Sequence, residues 1–280
     1  MKQSDKIDPA DGLVVSEVGE WAEEKHARVR RYIELASVAR KDYLPPPVWR
    51  AGASYIELFS GPGRSLVRDT DRIIDGSPLV ACKAAQANKT PFTEMHLNDM
   101  ESANSAAVGQ RLKAIGGNPI CYSRPAIAAV DDIIASLNPG GLHFAFLDPF
   151  NLEALSFDLV RKLSQLKRVD MLIHVSVQDL QRNSDKYSAP GSNVLETFAP
   201  GWRKVVDPSQ ANRPFRAALM AYWMQEIEKL GKAPARGVEL VRGSKDQPLY
   251  WLVFVSGHQL AQKFWEAIRR DPREQREMDF

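Results

Sequence analysis

Apolar residues recur along this chain in two rhythms that alternate from the first quarter onward. From Glu17 to Arg40, Trp21, Val29, Ile33 and Ala36 return at helical spacing between charged residues, which predicts a surface helix laid on a core. Lys25 and His26 within it could face a ligand, although a solvated helix face is the commoner arrangement. The run Pro45-Pro46-Pro47 cannot continue a helix and predicts a stiff spacer. Tyr55 to Phe59 then has the aromatic and β-branched content of a buried strand, and it meets a turn at Ser60-Gly-Pro-Gly63. Arg64 to Asp75 shows no rhythm and reads as a polar loop that could close over a crevice. Gly76-Ser77-Pro78 reads as a helix start, with Ser77 as N-cap and Pro78 at the first helical position.

The alternation continues with a strand at Phe92 to Leu97, a helix at Ser102 to Ile115, a strand at Pro119 to Tyr122 and a helix at Ala126 to Leu137. Leu142 to Leu147 is apolar throughout, as a parallel strand covered on both faces should be, and it stops at Asp148-Pro149-Phe150. A helix at Phe157 to Leu166 and a strand at Val169 to Val177 follow. Gln178 to Gln210 is polar and rich in Gly and Pro, and here the alternation lapses. A helix at Pro214 to Leu230, strands at Val238 to Arg242 and Leu249 to Val255 joined by a hairpin loop, and a helix at His258 to Arg269 close the pattern. The charged tail Arg269 to Phe280 reads as frayed. The fold class expected is α/β, Rossmann-like, with a mostly parallel sheet ended by an antiparallel strand pair.

Composition narrows the picture without deciding it. At 280 residues the chain suits one main α/β domain with additions, and 26% charged residues with a net charge of +2 implies no nucleic-acid or membrane partner by itself. Cys82 and Cys121 are far apart with no metal-ligand spacing, so both read as reduced core residues. No apolar run reaches bilayer length, and the amino-terminal residues lack an apolar signal core; a cytoplasmic protein is expected.

The candidate chemistry sits at strand ends. Glycines at 61 and 63 let backbone pass close to a ligand, with Phe59 and Ser60 leading into the turn, and Glu57 points into the crevice where α/β sheets bind ligands. Asp99, after the second strand, stands where ribose hydroxyls are gripped in such folds, and Ser123 with Arg124 ends the third strand beside it. A dinucleotide's pyrophosphate wants a helix N-terminus close behind the glycine turn, whereas here a helix begins only at Ser77. An acidic strand and a delayed helix suit a cationic, phosphate-free cofactor, S-adenosylmethionine. At Asp148-Pro149-Phe150, a carboxylate could accept from an exocyclic amine while the ring stacks on a flipped base. His96, His143 and His174 read as satisfied core residues. Arg161, Lys162, Lys167 and Arg168, with Arg182, form a basic cluster that could contact phosphates, although a solvated helix face is the commoner explanation, and the tryptophans of the last third read as core.

Trp21 with Glu24-Lys25-His26, Tyr55 to Gly63, Gly76-Ser-Pro78, Asn98-Asp99, Phe146-Leu-Asp-Pro-Phe150 and Leu249-Tyr-Trp251 occur in an order that resembles the three-Cys-motif partner family, whose members look like class I S-adenosylmethionine-dependent methyltransferases. The resemblance implies a helical extension over residues 1–50 and a methyltransferase-like domain over 51–280 with an insertion at about 178–232. It implies Glu57, Phe59, Ser60, Gly61, Gly63, Asp99 and Ser123 at the cofactor, and Asp148, Pro149 and Phe150 at the acceptor. It further implies a possible three-cysteine protein partner and fixes no substrate; the Asp-Pro-Phe stretch is what points to methyl transfer to an amino group of a nucleic-acid base, the alternative being a methyltransferase-like subunit serving a three-cysteine, metal-cluster type of protein. The Asp-Pro-Phe stretch departs from the usual Asp-Pro-Pro-aromatic form: the ring comes one residue early, and Asn151 stands where the family more often has Gly.

Overall fold

A computed structural model of the protein describes residues 6–45, 52–234, 238–243 and 247–269. The elements, in chain order, are β1 (Lys6–Ile7), β2 (Val14–Val18), α1 (Trp21–Leu35), α2 (Ser37–Arg40), β3 (Ala53–Glu57), β4 (Arg64–Val67), β5 (Ile73–Asp75), α3 (Ser77–Ala87), β6 (Glu94–Asn98), α4 (Ser102–Ala114), β7 (Pro119–Tyr122) and α5 (Ala126–Ser136). Then come β8 (Leu142–Leu147), α6 (Phe157–Ser164), β9 (Val169–Ser176), α7 (Val177–Ser188), α8 (Val194–Phe198), α9 (Asn212–Glu228), β10 (Ala233–Pro234), β11 (Glu239–Arg242), β12 (Pro248–Ser256) and α10 (Gln259–Arg269).

Every residue of β3 is buried, because β6 and β8 pair with it in parallel on its two sides and helices cover both faces. Side chains alternate between those faces along each strand. Ile56, Leu58, Ala145 and Leu147 join one core with α5, α6, α7, α8 and α9. Tyr55, Phe144, Phe146 and Leu172 join the other, with α1, α3, α4 and α10. The strand order is β10-β12-β9-β8-β3-β6-β7, with β11 also paired to β12. Strands β3, β6, β7, β8 and β9 are parallel, and β12 runs antiparallel to β9, β10 and β11. The chain winds outward in both directions from β3 and β8, so the switch point, and the crevice outside the carboxyl strand ends, lies between them.

Several expectations are corrected. Residues 64–75 are a hairpin, not an irregular loop: β4 pairs antiparallel with β5 and parallel with β2, in a second sheet of order β1-β2-β4-β5. Ser65 and Val67 point inward while Arg64 faces its register partner Asp75, an alternation of period two that the surrounding charges obscure. Glu17 and Val18 belong to β2, so the leading helix starts only at Trp21. The polar stretch from 178 is largely helical, because Leu180, Tyr187, Leu195, Phe198, Trp202 and Val206 are spaced widely enough to bury one face of short segments while the intervening positions stay polar. Trp202, Trp223 and Trp265 are buried as expected, and Cys82 is too, whereas Cys121 is exposed on β7 at the sheet edge. Pro46 and Pro47, part of the expected hairpin loop and the tail after residue 269 lie outside the described residues.

Candidate cofactor and acceptor site

The turn after β3 is tied to the end of β6. Ser60 N–H donates to the Asn98 carbonyl at 2.9 Å and Gly61 N–H to Asp99 Oδ2 at 2.9 Å. The two glycines do different jobs. Gly61 has φ +57° and nothing within 4 Å of where a Cβ would stand, whereas a Cβ on Gly63, at φ +87°, would lie 2.8 Å from Leu79 Cδ1 and 3.0 Å from Val108 Cγ2. Gly61 therefore leaves open space at the crevice, and Gly63 lets the turn seat against α3 and α4.

Asp99 is the knot of this edge. Besides Gly61, it accepts through Oδ1 from the Glu101 N–H at 2.9 Å and Asn104 Nδ2 at 3.1 Å. Asn98 donates to the carbonyls of Leu58 and Arg124, both at 3.0 Å, which brings the end of β7 to the same place. Ser123 is exposed there, its hydroxyl 3.4 Å from the Met100 carbonyl. Phe59 is half-buried against the first core, and Met100 stands exposed beside Asp99.

Glu57 lies beneath the turn, 1% exposed. Tyr55 Oη donates to its Oε2 at 2.5 Å and Ser77 Oγ to its Oε1 at 2.6 Å. Ser77 is thus not the N-cap of α3; Gly76 holds that position without a side-chain cap, and the serine hydroxyl is committed to Glu57. Burial pushes the Glu57 carboxyl up to about 8, against the pull of the two hydroxyls and with a push from Asp148. At neutral pH it is mostly protonated.

Asp148, at the carboxyl end of β8, points under α1. Its Oδ2 accepts from Lys25 Nζ at 2.5 Å, and its Oδ1 is 3.3 Å from His174 Nδ1 on β9. Burial alone would raise this carboxyl; the Lys25 charge, then His174, outweigh it and hold it below the ordinary value. Burial also pushes His26 and His174 down to about 4, so both imidazoles are neutral at pH 7. The buried set then holds one cation, Lys25, and one anion, Asp148. Pro149 is buried, and Phe150 is 97% exposed, so the motif splits, with its carboxylate mostly buried against Lys25 and its ring in solvent.

Sequence reasoning singled out Lys25 but not its pairing with Asp148. Lys25 sits four residues after Trp21 and four before Val29, on the apolar stripe itself, and that spacing was the available signal. It and His26 are both only 8% exposed, which overturns their reading as a solvated face. His26 Nδ1 is buried with no hydrogen-bond partner among the described residues. The basic cluster dissolves into separate contacts: Arg161 pairs with Asp158, Lys162 with Asp131, and Arg168 donates to the Gly140 carbonyl. No group of three potential metal ligands occurs among the described residues, nor any helix long and apolar enough to cross a membrane.

No protein-family model matches this sequence, and no curated protein matches it. Solved structures do resemble its fold. Protein LPL1258 from Legionella pneumophila superposes with a TM-score of 0.52 at 9% identity, covering 87% of this chain and 90% of that one. Trm1 from Pyrococcus horikoshii, in complex with S-adenosyl-L-methionine, gives 0.48 at 10% identity over 92% of this chain, which spans only 61% of Trm1. TYW2 from M. jannaschii, in complex with AdoMet, gives 0.45 at 10% identity, covering 90% and 80%. A parallel set wound outward from a central strand, closed by an antiparallel strand inserted next to the last parallel one, decides the architecture. The fold is that of the class I methyltransferases.

Proposed function

We propose that this chain binds S-adenosylmethionine at the turn after β3 and transfers its methyl group to an amino group of a nucleic-acid base. The observation that carries this reading is the Gly61–Asp99 hydrogen bond, which joins an open-sided glycine turn after β3 to a carboxylate at the carboxyl end of the neighbouring strand β6. The donor set fits the cofactor. Asp99 accepts three bonds where a carboxylate offers roughly four sites, leaving capacity on Oδ2 for a ribose hydroxyl. The empty space at Gly61 adds room for backbone approach.

Bound there, the cofactor would supply an electrophilic methyl on a sulfonium. The chain's residues would do the rest. Glu57 accepts from the ammonium end, directly or through water, and a cation beside it favours its ionised form. Phe59, Ser60 and Gly61 lie along the methionine part, Gly63 holds the turn down, and Ser123 borders the adenine. Asp148 with Pro149 orients the acceptor amine, a matter of positioning more than of base catalysis, and Phe150 stacks on the base.

Calorimetry with S-adenosylhomocysteine tests the first half: binding by the wild type, lost in Asp99→Ala and Glu57→Ala, is the expected result, and absence of wild-type binding overturns it. The Lys25–Asp148 pair favours a second reading, because the carboxylate is already neutralised by the chain's own ammonium. In that reading the chain is a methyltransferase-like subunit of a three-cysteine protein. Transfer of labelled methyl to nucleic acid that Asp148→Ala abolishes supports the enzyme. Cofactor binding without transfer, together with co-purification of a three-cysteine protein, supports the subunit.

A further inference from the structure

Four backbone groups of the turn after β3 are tied down by residues outside it, and three of the ties come from neighbouring strand ends and the start of α3. These are Ser60 N–H to Asn98 O, Gly61 N–H to Asp99 Oδ2, and Gly76 N–H to Gly63 O at 2.8 Å. The fourth comes from farther away: Arg111 Nη1, on α4, donates to the Pro62 carbonyl at 2.8 Å.

Arg111 is 4% exposed, and every N–H of its guanidinium is used. Nε and Nη2 fork onto the Asp11 carboxylate at 2.8 and 2.9 Å; Nη1 also reaches the Val14 carbonyl at 2.8 Å, and Nη2 the Leu13 carbonyl at 3.3 Å. Asp11 and Leu13 lie in the connection from β1 to β2, and Val14 begins β2. Arg64, directly after the turn, donates to Asp8 Oδ2 at 2.9 Å, so the same hairpin grips the turn twice.

We propose that Arg111, clamped by the β1–β2 hairpin through Asp11, is a positioning residue for the cofactor turn. Pro62 stands between two glycines at positive φ, the residues with most backbone freedom to lose. A fixed Pro62 carbonyl holds both in the ligand-ready conformation, and what is fixed beforehand need not be ordered on binding. Asp11 and the hairpin carbonyls take four of the five guanidinium N–H groups, and the fifth goes to Pro62. The bond to Pro62 gives the hairpin a role in the cofactor site, and that role rests on the cofactor reading above only for what the turn binds.

Arg111→Lys in the full chain tests this, since an ammonium cannot reproduce the fork and the two carbonyl contacts together. Two measurements are needed: calorimetric affinity for S-adenosylhomocysteine, and hydrogen exchange of the segment 58–66 in ligand-free protein. The expected result is affinity weaker by about tenfold and faster exchange at 58–66, with exchange of β9 unchanged. Arg40→Lys is the control: Arg40 is another buried guanidinium, held by Thr90 and Ile33 far from the turn, and its loss should leave both readouts at wild-type values. Wild-type exchange at 58–66 in Arg111→Lys, or acceleration shared equally by β9, overturns the proposal. Should Arg111→Lys fail to fold, Asp11→Asn reaches the clamp from its other side and is judged by the same criteria. If the wild type does not bind S-adenosylhomocysteine the cofactor reading falls, and the exchange measurement alone decides for or against Arg111.

Discussion

Lys25 Nζ and Asp148 Oδ2, 123 residues apart in the chain, share a 2.5 Å hydrogen bond that joins the leading helix to the carboxyl end of the central strand β8. The side chains are 10% and 18% exposed, so each ion has left most of its water behind and depends on the other. The acidic member of the Asp-Pro-Phe stretch is therefore a partner of α1 before it is a partner of any acceptor.

Removing one ion leaves the other buried and uncompensated, at a cost of roughly 3–5 kcal/mol. Lys25→Met should lower stability by about that much in urea denaturation, and Lys25→Met with Asp148→Leu should recover most of it. A single variant as stable as the wild type would show the pair to be solvated.

Glu57 predicts a pH dependence with a definite sign. Its folded value of about 8 lies above the ordinary 4.5, so between the two the folded chain holds a proton that the unfolded chain releases, and stability falls as pH rises through that window. His26 and His174, depressed to about 4 from 6.5, act oppositely and only below their ordinary value: their contribution is present above 6.5 and fades as pH falls toward 4. Denaturation midpoints compared between about pH 6.5 and about pH 8 lie above the histidine window and short of the Cys82 and Cys121 thiols, which burial raises, and Glu57→Gln should flatten the slope there. An equal slope in the variant would assign it elsewhere.

The two turn glycines should separate stability from binding. Gly61→Ala places a methyl in open space, costs about 1–2 kcal/mol of left-handed strain, and should weaken S-adenosylhomocysteine binding. Gly63→Ala adds a collision with Leu79 and Val108, a further 1–3 kcal/mol or so. Thermal melts and calorimetry on both check this; equal melting temperatures would contradict the packing described for Gly63.

Phe150 is nearly fully exposed, so Phe150→Ala should change stability by no more than about 0.5 kcal/mol. If the ring stacks on a base, the same variant should lose about 1–3 kcal/mol of affinity for a single-stranded oligonucleotide. Anisotropy titrations decide it, and unchanged affinity would remove the ring from the acceptor site.

The elements most legible in the sequence are those whose signal is local. Leu142 to Leu147 carries an uninterrupted apolar run because it is covered on both faces, and its boundaries match the structure residue for residue. Pro119 to Tyr122 matches equally, and the helix expected over Ala126 to Leu137 ends one residue earlier, at Ser136. The β4–β5 hairpin was not legible, since charged residues interrupt its short alternation and its partner β2 is about fifty residues away in sequence.

By itself the sequence determined the α/β alternation, the glycine turn after β3, the acidic positions at 57, 99 and 148, and the antiparallel close of the sheet. Apolar periodicity and turn chemistry depend on neighbours a few residues away, and the sequence states those directly. Only the tertiary structure decided that Lys25 neutralises Asp148, that Tyr55 and Ser77 enclose a buried Glu57, and that Arg111 links the amino-terminal hairpin to Pro62. Each of these depends on strand register and helix docking between distant segments, where a buried charge settles on whichever partner the packing brings within reach.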